Sequence, residues 1–319
     1  MRPVVVVYKP LYEEALDYIR AACDVEYFPG YKKEDPAFMQ ALKRADGLIG
    51  SGLNVDEAFL DRAPRLKMIS NKSVGYDNLD LSLLKERGIQ ASNTPGVLDD
   101  TVADTIMALL LAAARRITEL DAFVKKGGWS KNGFKDEQFG VDVHHKKLGI
   151  IGMGGIGQMV AKRARFGFDM NILYHNRSRH ERAEHTYEAI YCSMNELLEQ
   201  SDFICVMTPL TEETKGMIGA EQFAKMKSSA IFINASRGPV VDEHALIEAL
   251  KSNQILAAGL DVFQQEPVHP DNPLLQMANV VTLPHIGSAT EETRKKMAML
   301  AAENVVAGVT GKRLKTPIF

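Results

Sequence analysis

The sequence predicts an α/β protein built from two doubly wound parallel-sheet domains. Three observations carry that expectation. Short β-branched runs alternate with helical patterns. The alternation breaks once, at the turn chemistry of Asn93–Thr94–Pro95–Gly96, and then resumes. The chain has 319 residues, 45% hydrophobic and 25% charged, which suits two globular domains better than one.

In the first series, PVVVVY precedes LYEEALDYIRAA, GLIGS precedes VDEAFLDRA, and LKMIS precedes LDLSLLKERG. Short apolar strands of this kind, each followed by a helix, are what a parallel sheet covered on both faces requires. After the break, periodicity predicts one long helix from about Thr101 to Lys126. Its first half, TVADTIMALLLAAARRI, is apolar almost all round. Such a helix is buried on every side or buried against another subunit, and the second reading implies a homodimer through the 101–126 region. The second series starts at KKLGIIGMGGIGQMVAKRARFG and continues through MNILYH, DFICVMTPL, AIFINAS, LAAGLDVF and NVVTLPH. Whether the helix beginning near Glu291 belongs to this series or returns to the first domain is open from the residues alone.

Several function classes are disfavoured. Net charge is −3, so no basic surplus points to nucleic acid. The strongest apolar run, Ile106 to Ala114, is flanked by Asp104 and Arg115–Arg116 and is too short to span a bilayer. The N-terminal apolar run reads as a strand, not a signal peptide. Cys23, Cys192 and Cys205 show neither metal spacing nor a disulfide framework, so no metal is expected and a reducing cytoplasm is the simplest home.

The segment GIIGMGGIGQ holds Gly152, Gly154 and Gly157 in G-x-G-x-x-G spacing, after an apolar strand and at the start of a helical pattern. That is the context of a Rossmann-like dinucleotide turn: one glycine for the tight turn, one for the approach of pyrophosphate, one for close helix–strand packing. Asn176 ends the next strand, where an NAD binder usually carries Asp or Glu for the ribose hydroxyls. Arg177, Ser178 and Arg179 follow it. A 2′-phosphate is repelled by a carboxylate and accepts charge-assisted bonds from a guanidinium, so the stretch predicts NADP(H), with NAD(H) the lesser option. The plainer alternative is a pair of solvated surface arginines.

Three more segments end strands of the second series. AIFINASRGPVVDE places Arg237, AAGLDVFQQEP places Glu266, and VVTLPHIGSATEE places His285, with Ser288 and Glu291 in capping-box spacing. A parallel sheet gathers such residues outside its carboxyl edge. Together they suit a 2-oxo acid. Arg237 holds the carboxylate and polarises the ketone. His285 protonates the oxygen as hydride arrives, and Glu266 stabilises the charged imidazole. Singly, each residue also fits a bland role as a surface, turn or helix-flanking group.

On SVGYDNLD, DDTVADTIMALLLAAARR, LGIIGMGGIG, INASRGPVVDEHALIEAL, GLDVFQQEP and LPHIGSAT, the chain resembles the D-isomer-specific 2-hydroxyacid dehydrogenase family along essentially its whole length. The stretches SVGYDN, FGVDVHHKKLGIIGMG, GFDMNILYHNR and EQFAKMKSSAIFINASRGPVVDE resemble its branch of bacterial glyoxylate/hydroxypyruvate reductases, also called 2-ketogluconate reductases. The resemblance implies a discontinuous substrate domain, 1–100 with 287–319, around a dinucleotide-binding domain, 101–286. It implies Arg237, Glu266 and His285 as the catalytic trio. Substrate would meet Leu53, in the SGLN loop, and the Val74–Gly75 turn, along with Arg237 and His285. Cofactor would meet Val74, Thr105, the turn Gly152, Gly154, Gly155, Ile156 and Gly157, and the run Asn176 to Arg179. It would also meet Thr208, Pro209, Thr214, Ala235, Ser236, Arg237, Asp261, His285, Gly287 and Ser288. The family implies a homodimer and the D configuration of the product as well.

One departure stands out: relatives usually carry Arg after the second glycine, and here Gly155 stands in its place. The sequence reading is thus NADPH-dependent reduction of small 2-oxo acids (glyoxylate, hydroxypyruvate, 2-ketogluconate) to D-2-hydroxy acids. Two alternatives stay in view, an NAD-dependent dehydrogenase of another D-2-hydroxy acid and a non-enzymatic nucleotide-sensing interaction protein of the same fold. A formate-type enzyme is disfavoured because those carry Gln where Glu266 stands.

Overall fold

The computed structural model describes residues 2–31, 35–130, 133 and 135–319. Val4–Val7 (β1), Asp24–Tyr27 (β2), Gly47–Gly50 (β3), Met68–Asn71 (β4) and Gln90–Ser92 (β5) form one parallel sheet in the order β2-β1-β3-β4-β5. Lys147–Ile151 (β6), Asn171–His175 (β7), Ile190–Tyr191 (β8), Phe203–Val206 (β9), Ile231–Asn234 (β10), Ala257–Leu260 (β11) and Val280–Thr282 (β12) form a second, also parallel, in the order β12-β11-β10-β9-β6-β7-β8. The strand order of this sheet reverses between β6 and β9, the position where open α/β sheets bind ligands. The chain divides into two compact units, Met1–Leu98 with Ser288–Phe319, and Asp99–Gly287.

Long-range packing makes the first unit discontinuous. The terminal helix Glu291–Val309 lies on β3, β4 and β5 and beside the helix Glu13–Ala22. It buries Met297, Ala298, Ala301, Ala302 and Val305 there. The buried Ser70 hydroxyl donates to the Ala301 carbonyl at 2.9 Å, and Ser92 donates to Ser70 at 3.0 Å. Beyond the helix, Ile318 N–H donates to Ala91 O at 3.0 Å and Pro317 bridges Ser92, so the chain end covers the open edge of β5. In the second unit the helix Asp99–Ala114 packs on the helix Gly155–Phe168 and on β10, β11 and β12.

Two expectations need correction. The helix expected over about Thr101 to Lys126 is two helices, Asp99–Ala114 and Ile117–Lys125, joined at Arg116 in left-handed backbone (φ 54°). The Ala114 carbonyl, which a further turn would use, accepts from Val141 N–H at 2.8 Å instead. The Arg116 guanidinium folds onto Glu119 and the Glu137 carbonyl. A passing segment has taken the place of the next turn, so continued apolar periodicity does not extend the rod. Burial divides the same way. The first helix buries Val102, Ala103, Ile106, Met107, Leu109, Leu110, Ala113 and Ala114 within its own unit. The second buries none of its residues. The other correction concerns the last helix. Its N-cap is Thr290, whose hydroxyl accepts from Thr293 N–H, rather than Ser288 in a box with Glu291. Ser288 instead offers its carbonyl to Thr290 N–H and to the Arg294 guanidinium.

Candidate active site

The glycine turn follows β6 as its spacing predicts. Gly152 has φ +104°, a conformation open to glycine and strained for other residues, and its N–H donates to His175 O at 3.0 Å. Gly154 caps the helix Gly155–Phe168, so Gly155, Ile156 and Gly157 form its first turn, with free amides and the positive end of the dipole. A Cβ at Gly157 would lie within 2.3 Å of the Gly152 carbonyl, which explains the third glycine. The departure at Gly155 also has a physical counterpart: a Cβ there would meet the Asp99 carboxylate at 2.2 Å, so Asp99 fills the space.

Asn176 to Arg179 form the loop after β7. Arg179 makes a two-pronged pair with Glu184, Nε to Oε1 at 3.0 Å and Nη2 to Oε2 at 2.6 Å. Arg177 is exposed, and its charge reaches Glu213 in the 209–214 segment. The Thr211 hydroxyl and Glu213's own amide, and then the charge of Arg177, hold the Glu213 carboxyl below the usual carboxylate range. Thr208 and Pro209 follow β9, and Thr214 donates its hydroxyl to Pro209 O at 2.6 Å, closing that turn.

Arg237, Glu266 and His285 follow β10, β11 and β12 in turn. At the first, the buried Asn234 side chain accepts from Ser236 N–H and Oγ–H (3.0 and 2.9 Å) and donates to Arg237 O (3.1 Å), which sets the Ala235–Arg237 turn. The Arg237 guanidinium donates to Ser236 O at 2.8 Å. At the second and third, Glu266 Oε2 meets His285 Nδ1 at 2.7 Å, while Glu266 Oε1 accepts from Phe263 N–H at 3.1 Å. Burial pushes the Glu266 carboxyl up. The bond to His285, the Phe263 amide and the charges of His285 and Arg237 outweigh that and hold it below its usual range. Glu266 is thus an ionised acceptor, and the imidazole nitrogen left free is Nε2.

His285 has φ +54°, unusual for a non-glycine residue. Asp261, 1% exposed at the end of β11, grips the two amides that follow it, Ile286 N–H at 2.7 Å and Gly287 N–H at 2.8 Å. Burial raises the Asp261 carboxyl while these amides pull it back. The Thr105 hydroxyl donates to Gly287 O at 3.3 Å. The sequence reading assigned Asp261 and Thr105 to the cofactor and missed this backbone grip. An acidic residue closing an apolar strand was the available signal.

Leu53, Val74, Gly75 and Ser288 belong to the first unit. Side-chain amides and a hydroxyl take up the carbonyls there. Asn78 donates to Leu53 O (2.7 Å), Asn93 to Val74 O (2.7 Å) and Ser73 to Gly75 O (2.7 Å). The buried Asn71 donates to Asn78 Oδ1 at 2.7 Å. The sequence reading takes Asn93 as part of a turn and does not single out Asn71 or Asn78. Among the described residues no group of three or more His, Cys, Asp or Glu is arranged to hold a metal. None of the described helices is long and apolar enough to cross a membrane.

Comparison with known proteins agrees with this geometry. Residues 107–287 match the family model for the D-isomer specific 2-hydroxyacid dehydrogenase, NAD binding domain. Glyoxylate/hydroxypyruvate reductase B of Yersinia enterocolitica is 53% identical over 312 residues, covering 98% of this chain and 95% of that protein. A glyoxylate reductase from Paecilomyes thermophila superposes with a TM-score of 0.90 at 31% identity, covering 99% of this chain and 98% of that one. An NADPH-dependent glyoxylate/hydroxypyruvate reductase from Sinorhizobium meliloti, solved with NADP and malonate, gives 0.87 at 30% identity, covering 100% and 97%. The strand–glycine–helix turn is therefore that of an NAD(P)(H)-binding oxidoreductase.

Proposed function

The chain belongs to the D-isomer specific 2-hydroxyacid dehydrogenases, and from that premise we propose that it reduces small 2-oxo acids with NADPH. Glyoxylate and hydroxypyruvate are the substrates in view, with 2-ketogluconate a third, and the products are D-2-hydroxy acids. The Glu266–His285 contact of 2.7 Å carries this reading.

In the proposed reaction NADPH supplies the hydride, and this chain's residues do the rest. Glu266, ionised, accepts from Nδ1 and so leaves the proton of Nε2 for the carbonyl oxygen. Arg237 takes the substrate carboxylate and polarises the ketone beside it. On the first unit, side-chain donors occupy the Leu53, Val74 and Gly75 carbonyls. The Val74 and Gly75 amides are the groups offered to the carboxylate in this reading. Asn176 contributes no charge to repel a 2′-phosphate, and Arg177 supplies the cation that binds it. Domain 1–98 with 288–319 is the substrate lobe in this reading, and 99–287 the cofactor lobe.

Initial rates across glyoxylate, hydroxypyruvate and 2-ketogluconate, with NADPH and then NADH at equal concentration, test the proposal. Turnover of a 2-oxo acid with NADPH favoured is the expected result. Absence of turnover on all three would move the chain to the nucleotide-sensing alternative. We also propose a homodimer. The helix Ile117–Lys125 leaves Ile117 and Val124 half exposed, and Trp129 and Phe139 stand more open still. Light scattering of the purified protein at twice the monomer mass is the expected outcome. Cys23 and Cys205 are buried and Cys192 half-buried, all as free thiols, which fits residence in the cytoplasm.

A further inference from the structure

Arg177 and Arg179 are two residues apart and look equivalent in the sequence, but their surroundings differ. The Arg179 guanidinium is already committed. It forms the two-pronged pair with Glu184, and it lies 5.9 Å from the centre of the Tyr191 ring. Glu184 in turn accepts from the Tyr174 hydroxyl at 2.6 Å, and that hydroxyl accepts from His180 N–H at 2.7 Å. At the other end of the loop, the Tyr191 hydroxyl donates to Asn176 O at 3.2 Å. Tyr191 also stacks on the His175 ring and meets Tyr174 edge-on. The backbone from Asn176 to His180 is therefore held at its first carbonyl, at its last amide and through the Arg179 side chain. Its middle, Arg177 and Ser178, takes part in none of these bonds.

We propose that Tyr174, Glu184, Arg179 and Tyr191 form a brace that sets cofactor choice, holding the 176–180 loop so that Arg177 and Ser178 meet the adenosine 2′-phosphate. Arg179 is a positioning residue here, not a phosphate ligand. The physical reasoning is preorganisation: an anion is bound more tightly by donors whose backbone is already fixed, because less ordering accompanies binding. NADH lacks the 2′-phosphate, so it gains little from the brace. Loosening the brace should therefore separate the two cofactors, whereas a general loss of fold would weaken both alike.

The inference rests on the proposal that Arg177 binds the 2′-phosphate, and one set of variants separates the two. The ratio of kcat/KM for NADPH to that for NADH is measured for Arg177→Ala, Glu184→Gln, Arg179→Ala, Tyr191→Phe and the Glu184→Gln/Arg179→Ala double variant. Arg177→Ala should collapse the ratio. If it does not, the phosphate reading is wrong and the brace falls with it. Given that collapse, Glu184→Gln and Arg179→Ala should each lower the ratio by about tenfold through the KM for NADPH, with kcat and the KM for NADH unmoved. The double variant should fall no further than either single one, because both break the same pair. Tyr191→Phe, which keeps the ring and loses only the bond to Asn176 O, should lower the ratio less. The opposite sign overturns the brace. Were Arg179 itself a phosphate ligand, Glu184→Gln would free its guanidinium and raise the ratio. An unchanged ratio in Glu184→Gln and Arg179→Ala would also discard the brace while leaving Arg177 in place.

Discussion

The seven-stranded sheet has two halves, one on each side of the β6–β9 junction, and they treat charge in opposite ways. On the β10–β12 side the charged groups are tied to one another and to backbone amides, and one of them, Asp261, is covered. Asp261 is almost fully buried with both oxygens on backbone amides, and Glu266 bonds the imidazole and an amide at once. On the β7–β8 side the charges are open to water: the Arg179 side chain is 66% exposed, and Arg177 is exposed too. The backbone plan is the same on both sides, a parallel strand ending in a loop. The comparison teaches that the sheet decides where groups gather, and the backbone amides within reach decide how firmly a carboxylate is held. A covered carboxylate cannot lose a partner without stranding donors, whereas exposed pairs are weakened by water and salt.

The β10–β12 side should give the larger responses. Replacing His285 with Gln removes the proton donor, and kcat should fall by about 10²–10⁴. NADPH binding, followed by fluorescence titration, should survive; its loss would make His285 a structural residue. Asp261→Asn places an amide NH2 against Ile286 or Gly287 N–H and leaves a buried donor without an acceptor. Urea titration should show a loss of about 1–3 kcal/mol, with kcat falling alongside. A variant as stable and active as the parent would mean that the turn holds His285 without the carboxylate.

On the open side, Asn176→Asp should lower the NADPH/NADH ratio of kcat/KM, and added salt should shrink the effect because the site is exposed. A ratio that does not move at any ionic strength would undo the charge argument for the 2′-phosphate. The smallest signal is a pH effect. Hydrogen bonds from Arg179 and Tyr174 hold the Glu184 carboxyl down from its ordinary 4.5 to about 2. A carboxyl depressed on folding adds stability above the unfolded value, and this is lost as pH falls through the folded one. The Tm difference between the parent and Glu184→Gln should therefore be present at neutral pH, shrink below about 4.5 and vanish near 2. A difference that stays constant across that interval would mean the ionisation of Glu184 contributes nothing to folding.

Legibility of the strands in the sequence followed burial. The central strands were readable because each is covered on both faces and so needs a run of apolar residues, as in VVVV and FICV. The strands that went unread, β2 (DVEY), β5 (QAS) and β8 (IY), are edge strands of their sheets. An edge strand has a neighbour on one side only and can be short and polar, so no pattern marks it. The same limit explains Asn71, Asn93 and Asn234, whose roles depend on carbonyls that other segments bring to them. It also explains Asp99 beside Gly155, where a residue far along the chain takes the space of a side chain.

Local chemistry wrote the βα rhythm, the glycine turn with its helix, and the charged residues that close β10, β11 and β12 directly into the order of amino acids. Those features depend on neighbours within a few residues. Contact across the chain decided the rest. It brought Glu266 and His285, 19 residues apart, to 2.7 Å, stopped a helix at Ala114, returned the last helix to the first sheet, and paired Arg179 with Glu184. Spacing along a chain carries the period of a helix or strand, but not the identity of the segment that packs against it.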